Sequence, residues 1–166
     1  MNPSAGTAPS VAEIIAATGV AIPDCARSHI DGGPVAPRGR AERVPVHYPA
    51  TEEPLVAVQE ADAAEVDAAV GAARSAFQSG SWRGLAVSER QRLLRRAAAL
   101  IREHQQELAV LECLCAGLTA AHLAQRQIPR AAQNFAFFAD VIGTLAGETF
   151  EQEAGYFTTV TRTPAG

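Results

Sequence analysis

The stretch IPRAAQNFAFFADVIGTLAGE, from Ile128 to Glu148, constrains the fold more than any other part of the chain. Pro129 suits the first turn of a helix, because its fixed φ is helical and its missing N–H would have no intrahelical partner there. Phe135, Phe138, Ile142 and Leu145 follow at helical spacing and make one apolar face that needs something to pack against. Gly147 supplies a stop. Arg130 breaks the pattern: in a first turn it lies at the positive end of the helix dipole, where a cation is disfavoured by roughly 0.3–1 kcal/mol. It is either solvated or aimed at an anion.

Upstream, residues 1–27 read as a loosely attached, flexible arm. Ser10 can cap a short helix carrying Val11, Ile14 and Ile15, while Pro23 and its Gly/Ala surroundings argue against tight packing. HIDGGPV, from His29, reads as two extended pieces around a Gly32-Gly33 turn. Val44, Val46 and Tyr48 alternate along a strand interrupted by Pro45 and closed by Pro49, which suits an edge position. LVAVQ then returns, giving an antiparallel hairpin from about Arg43 to Gln59.

The middle of the chain is helical. Asp62 with Glu65 resembles a capping box, after which Val66, Ala69, Val70, Ala73 and Phe77 mark one face of a helix ending near Ser79-Gly80. Ser88 with Gln91 reads as a second capping box. It opens a long helix with Leu93, Ala97, Leu100, Ile101, Leu108 and Leu111 down one side, ending around Gly117. A short helix fits residues 119–127. YFTTVTRT, rich in aromatic and β-branched residues, reads as a final strand with no sequence-adjacent partner.

These elements make an α/β chain, and 166 residues suffice for one domain with its own core. A net charge of −4 and a pI near 5.6 leave no basic face for nucleic acid or anionic lipid. No apolar run approaches the roughly 20 residues of a spanning helix, and no positive n-region precedes VAEIIAA, so neither membrane span nor signal peptide is expected. The three cysteines, odd in number and irregular in spacing, form no disulfide framework and suit a cytoplasmic setting. Cys113 and Cys115, two apart on a helix, point roughly 200° away from each other and cannot share a metal. His29, His47, His104 and His122 show no ligand spacing, and no glycine-rich phosphate loop is present. The residues alone therefore assign no catalytic, cofactor or metal position.

The order of elements is more specific. HIDG, YPATEEPLVAVQEA, VDAAVGAARSAFQSGSWR, SERQRLLRRAAALIREHQQELAVLE, IPRAAQNFAFFAD and GYFTTVTRTPAG together resemble the N-terminal third of the aldehyde dehydrogenase superfamily, over about Ser28 to Gly166. The resemblance implies an incomplete version of that fold. Residues 28–150 would be a partial nucleotide-binding domain, its opening hairpin and outer helices. Residues 151–166 would be the first strand of the sheet that bridges subunits.

It also implies the family reaction, NAD- or NADP-dependent oxidation of a small-molecule aldehyde to the acid through a cysteine thioester. The nucleophile, general base, oxyanion-stabilising Asn and nucleotide loop are expected beyond this sequence. None of Cys25, Cys113 or Cys115 matches the family's nucleophile, and no NAD(P) is expected to bind this chain alone. Where members commonly read Glu-Thr-Leu-Asp-Thr-Gly-Lys-Pro, this chain has Glu112-Cys113-Leu114-Cys115-Ala116-Gly117-Leu118-Thr119. Cys115 thus removes the acidic residue from a turn where some members build a cation site.

Leu118 and the Ile-Pro-Arg and Asn-Phe-x-Phe-Phe-Ala pieces are most similar to the hydroxymuconic and carboxymethyl-hydroxymuconic semialdehyde dehydrogenases. In that subgroup the Arg matching Arg130 pairs with a substrate carboxylate, a task suited to a guanidinium fork. Asn134 is the second substrate-binding candidate, set against a plain helix-surface role. Homo-oligomerisation or pairing with a longer dehydrogenase chain would complete the final sheet. Two other classes remain: a non-catalytic module that pairs through its last strand, and a truncated product without independent function.

Overall fold

A computed structural model describes residues 8–36 and 43–165. The expectation that no signal peptide is present falls partly on residues 1–7, which lie outside the described residues.

Ser10 caps α1 (Val11–Thr18) in a full capping box. Its hydroxyl accepts from Glu13 N, while the Glu13 carboxylate accepts from Ser10 N over 2.8 Å. The Ser10 backbone N–H and then its hydroxyl hold the Glu13 carboxyl below its ordinary value. Val11 N donates to Glu53 Oε2 over 2.8 Å, tying α1 to a loop far along the chain. β1 (Cys25–Ala26) runs parallel to β5 (Pro54–Gln59), with Cys25 opposite Ala57. Residues 10–26, expected as a loose arm, thus contribute a capped helix and a sheet strand. Pro23 falls in the connection between them and interrupts neither.

β2 (His29–Ile30) and β3 (Gly33–Pro34) pair antiparallel. Their turn is centred on Asp31 (φ 52°) and Gly32 (φ 78°), one residue before the expected Gly-Gly pair. An Asp-Gly pair supplies the two positive φ values that a tight hairpin turn needs.

β4 (Arg43–His47) pairs antiparallel with β5, and the sheet order is β1-β5-β4. The edge position expected for the Pro45 strand follows, since the missing N–H costs nothing on an open side.

α2 (Ala63–Ser79) starts on Asp62, whose side chain accepts from Glu65 N, and ends on Gly80 at φ 71°. The apolar face expected for it is open, with Val66 52% and Val70 53% exposed.

The second expected capping box does not form: α3 (Val87–Glu103) begins two residues early, with Ala86 instead of Ser88 at the N-cap and no side-chain cap. Ser88 is already helical and cannot fill the extended N-cap position. The long helix divides at His104 (φ −98°, ψ 19°), and α4 (Gln105–Ala116) ends, as expected, on Gly117 at φ 73°.

α5 (Ala120–His122) runs through a π turn (Leu123–Gln127) into α6 (Ile128–Val141). Ile128 N–H reaches back to Leu123 O, the widened π pattern. Pro129 next lacks an N–H to donate, so the wide turn absorbs the break in the ladder. Gln127 is helical at φ −73° and ψ −49°, and Arg130 therefore sits inside a longer helical run. The dipole penalty expected at a free helix start does not apply there. α6 stops at Val141, short of Gly147, which instead backs onto the final hairpin: a Cβ at Gly147 would lie 2.6 Å from Val160 O.

The core is narrow. α3 and α6 meet through small side chains, Ala98, Ala132 and Ala139, while Leu114 and Leu123 are the largest fully buried residues. The phenylalanine face expected to be core is open, with Phe135 41% and Phe138 56% exposed.

The last strand, β7 (Tyr156–Val160), has a sequence-adjacent partner after all, because β6 (Glu148–Glu153) pairs antiparallel with it. Every residue of both strands is exposed. β6 leaves no trace in the sequence pattern because ETFEQE has no apolar alternation, and the hairpin has no buried face to demand one. No helix among the described residues is long and apolar enough to cross a membrane.

Candidate functional site

Both site residues named from the sequence lie on one groove. Arg130 and Asn134, one turn apart on α6, line a concavity of about 730 Å³ with His122, Arg126, Gln127 and Phe137. The residues forming it come from α5, the π turn and the first turns of α6, so a single continuous helical run builds the wall. Both candidates are exposed. Gln127 Nε2 approaches His122 Nε2 at 3.3 Å, which orders the upper rim. Phe137 packs edge-on against Phe138, ring centroids 5.3 Å apart, and gives the lower rim an apolar wall.

The arginines of the helices divide into paired and unpaired ones, and Arg74, Arg90 and Arg102 have no carboxylate partner among the described residues. Arg92, Arg95 and Arg96 pair with Glu89, Asp140 and Glu103. Arg126 and Arg130 pair with no carboxylate among the described residues, and no Asp or Glu lines the groove. Chemically, it can offer guanidinium forks and amides to a carboxylate. Arg126 is not a candidate from the sequence because a helix starting at Pro129 excludes it. Reading residues 120–141 as one run would place it four residues before Arg130, without an acidic partner.

A second, more apolar groove of about 790 Å³ lies under α1, lined by Ile14, Ala17, Tyr48, Val110 and Cys113 among others. Burial foremost, with the Cys113 thiol and the Glu53 charge adding to it, raises the Tyr48 hydroxyl above its ordinary value of 10.0. None of the three free thiols hydrogen-bonds a histidine or a carboxylate among the described residues: Cys25 Sγ approaches Ala26 O at 3.6 Å, and Cys115 is exposed. No cluster of three or more His, Cys, Asp or Glu that could hold a metal forms among the described residues.

Gly19, Gly80 and Gly117 sit at helix C-termini, whose partial charge is negative and repels phosphate. The start of α2 is already occupied by the Asp62 carboxylate.

Comparison with known proteins adds a frame to this geometry. The model of the aldehyde dehydrogenase family matches residues 36–166. Cytosolic aldehyde dehydrogenase 1 of Mus musculus is 39% identical over 127 residues, covering 76% of this chain and 25% of that protein. The 2-hydroxymuconic semialdehyde dehydrogenase of Pseudomonas sp. (strain CF600) is 43% identical over 103 residues, 62% of this chain and 21% of that one. Among solved structures, a P. syringae indole-3-acetaldehyde dehydrogenase in complex with NAD+ and IAA superposes with a TM-score of 0.83 at 30% identity, over 93% of this chain and 31% of that chain. This chain spans about a quarter of the length of the curated relatives it matches.

Proposed function

The chain belongs to the aldehyde dehydrogenase family, with the α/β architecture of its N-terminal part, and on that premise we propose that it is the outer portion of an enzyme oxidising a carboxylated semialdehyde to the acid. The aldehyde loses a hydride to NAD(P)+, and water supplies the second oxygen of the acid. The nucleophile, base and dinucleotide-binding groups lie outside this sequence. Residues 28–150 form part of the nucleotide-binding domain, and residues 151–166, which carry β7, open the bridging sheet.

The observation that carries the reading is Arg130. It is exposed on a groove without any acidic lining residue and has no carboxylate partner among the described residues. This chain's own contribution is positional: Arg130 binds the remote carboxylate of the substrate, with Asn134 one turn on as a second polar contact. The likeness to a 2-hydroxymuconic semialdehyde dehydrogenase supports the same substrate class. The open faces of α2 and α6 support incompleteness, since Val66, Val70, Phe135 and Phe138 are each at least 41% exposed.

The test has two arms. The chain mixed with NAD+ and an aldehyde gives no NADH, and measurable turnover overturns the incompleteness. Joined to the remaining length of a family relative, Arg130→Ala raises KM for a carboxylated semialdehyde about 10-fold or more relative to a neutral aldehyde, the worth of one charged hydrogen bond. An unchanged ratio overturns the role.

One observation favours a second reading, a module that pairs through strand addition: β6 and β7 expose every residue and have open outer edges. Light scattering coupled to size exclusion separates this from a product without a stable fold, because a module gives one defined species.

A further inference from the structure

We infer that the cavity between the start of α3 and the segment after β7 binds a carboxylate on a short apolar body, with Arg90 as its principal contact. The cavity shares no residue with the groove of Arg130 and does not depend on that reading. Arg90 is the exception among the arginines. Every other one among the described residues is exposed, whereas Arg90 is half-buried, and its Nε is shut from water with no hydrogen-bond partner there. A charged group withdrawn from water without a partner is costly. Arg74 and Arg102 lack a carboxylate too, but water solvates them. The place adds to the cost at Arg90: it lies near the start of α3, at the positive end of the helix dipole, where no side chain caps the helix. Glu89, the acidic residue of that turn, pairs with Arg92 instead. An anion beside the open edge of the Arg90 guanidinium offsets both the lost hydration and the dipole.

The rest of the lining sets the kind of anion. Arg90 faces a cavity of about 480 Å³ that Arg162 and Thr163 also line, and no Asp or Glu is among its lining residues. Glu148 stands 3.9 Å from Arg162 Nη2, too far for a hydrogen bond, with both side chains at least 60% exposed, so Arg162 remains available as a second donor. Guanidinium forks suit a carboxylate. Val87, Ile142 and Leu145 supply an apolar wall for the carbons behind it. A free short-chain acid presents this chemistry, and so does a glutamate side chain of further polypeptide.

The experiment titrates the 166-residue chain with butanoate and with butanamide, its neutral counterpart, and reads the amide chemical shifts of residues 87–91 and 161–163. Butanoate is expected to bind at least about tenfold more tightly, the factor a charge-assisted hydrogen bond supplies. R90M abolishes that preference, R162Q weakens it, and R130Q leaves these shifts unchanged. Without acid, R90M melts no lower than the parent chain, because it removes a buried donor that has no partner. Equal binding of acid and amide, a preference that survives R90M, or a lower melt for R90M overturns the inference and leaves the reading of Arg130 untouched. The source is read after joining the chain to the remaining length of a family relative. A rise in melting temperature with butanoate that depends on Arg90 assigns the cavity to a free acid. Loss of that rise, with R90M now melting lower, assigns it to a carboxylate of the added length. Loss of the rise with no change in the R90M melt overturns both.

Discussion

Arg95 Nη2 lies 2.7 Å from Asp140 Oδ1, a link from α3 to α6 that flanks the buried alanine seam between them. The pair is shorter than the Arg96–Glu103 pair of the same helix, but its side chains remain 55% and 70% exposed. Water therefore screens most of its attraction. Asp140→Asn is expected to change stability by less than about 1 kcal/mol. Ala139, fully buried in the seam, behaves differently. Ala139→Leu inserts methylenes where α3 has no room and costs about 1–3 kcal/mol. Urea unfolding followed by far-ultraviolet circular dichroism ranks the two, and the reverse order would place the joint's strength in the ion pair.

Two glycines predict opposite signs for one substitution. Gly117 ends α4 at φ 73°, and an added Cβ would meet Pro49 Cβ at 3.0 Å, so Gly117→Ala carries both backbone strain and crowding. Its cost is about 1 kcal/mol or more. Gly71 is inside α2, where an added methyl would meet nothing within 4 Å, and Gly71→Ala removes only unfolded-chain freedom. It stabilises by about 0.5–1 kcal/mol. Thermal melts of the two variants at one pH read the difference directly.

Tyr48 gives the chain a pH limit on the alkaline side. Burial foremost, then the neighbouring Cys113 and Glu53, raises its folded-state value above 10.0, so the folded protein retains a proton that the unfolded chain releases. That difference favours folding fully below the ordinary tyrosine value and is lost as pH rises through it toward the folded-state value. Stability is expected to fall above about pH 10, and the fall is smaller in Tyr48→Phe, which has no proton to lose. Denaturant midpoints of both proteins across alkaline pH supply the check. Equal slopes would place the loss elsewhere.

Local signals are legible in the sequence, and burial is not. Ser10 and Asp62 cap their helices and Gly80 and Gly117 end theirs, because those choices depend on a few neighbouring backbone groups. The hairpin from Arg43 to Gln59 is legible for the same reason, through its alternation and its edge proline. Periodicity identifies stripes on α2 and α6 but does not say whether a partner for each stripe is in this chain. Phe135 and Phe138 are open while Ala98, Ala132 and Ala139 are buried, since the α3–α6 approach is close and admits only small side chains. The candidate site turns on a single local feature of this kind. Pro129 has every mark of a helix start, whereas the π turn lets the helix pass through it, and Arg126 on the far side of that turn therefore stays out of the sequence-derived site.

The final hairpin ought to be the least protected structure among the described elements. β6 and β7 expose all of their residues, and two strands alone are at best marginally stable in water. Their pairing has a register shift between Glu151 and Glu153, and the cross-strand Thr149–Thr159 hydroxyl contact is long at 3.5 Å. β5, by contrast, is central in a three-stranded sheet and largely shielded, with Gln59 3% exposed. Amide hydrogen exchange is therefore expected to be complete in β6 and β7 while the inner amides of β5 remain protected, a gap set by local opening and not by global unfolding. If the hairpin's outer edge meets another strand, whether from a second copy or from further sequence, its amides gain protection that rises with protein concentration in the first case alone. Exchange measured at two concentrations therefore distinguishes an edge closed by self-association from one that needs a different chain segment. Protection of β7 equal to that of β5 at high dilution would show that the hairpin is stable without either.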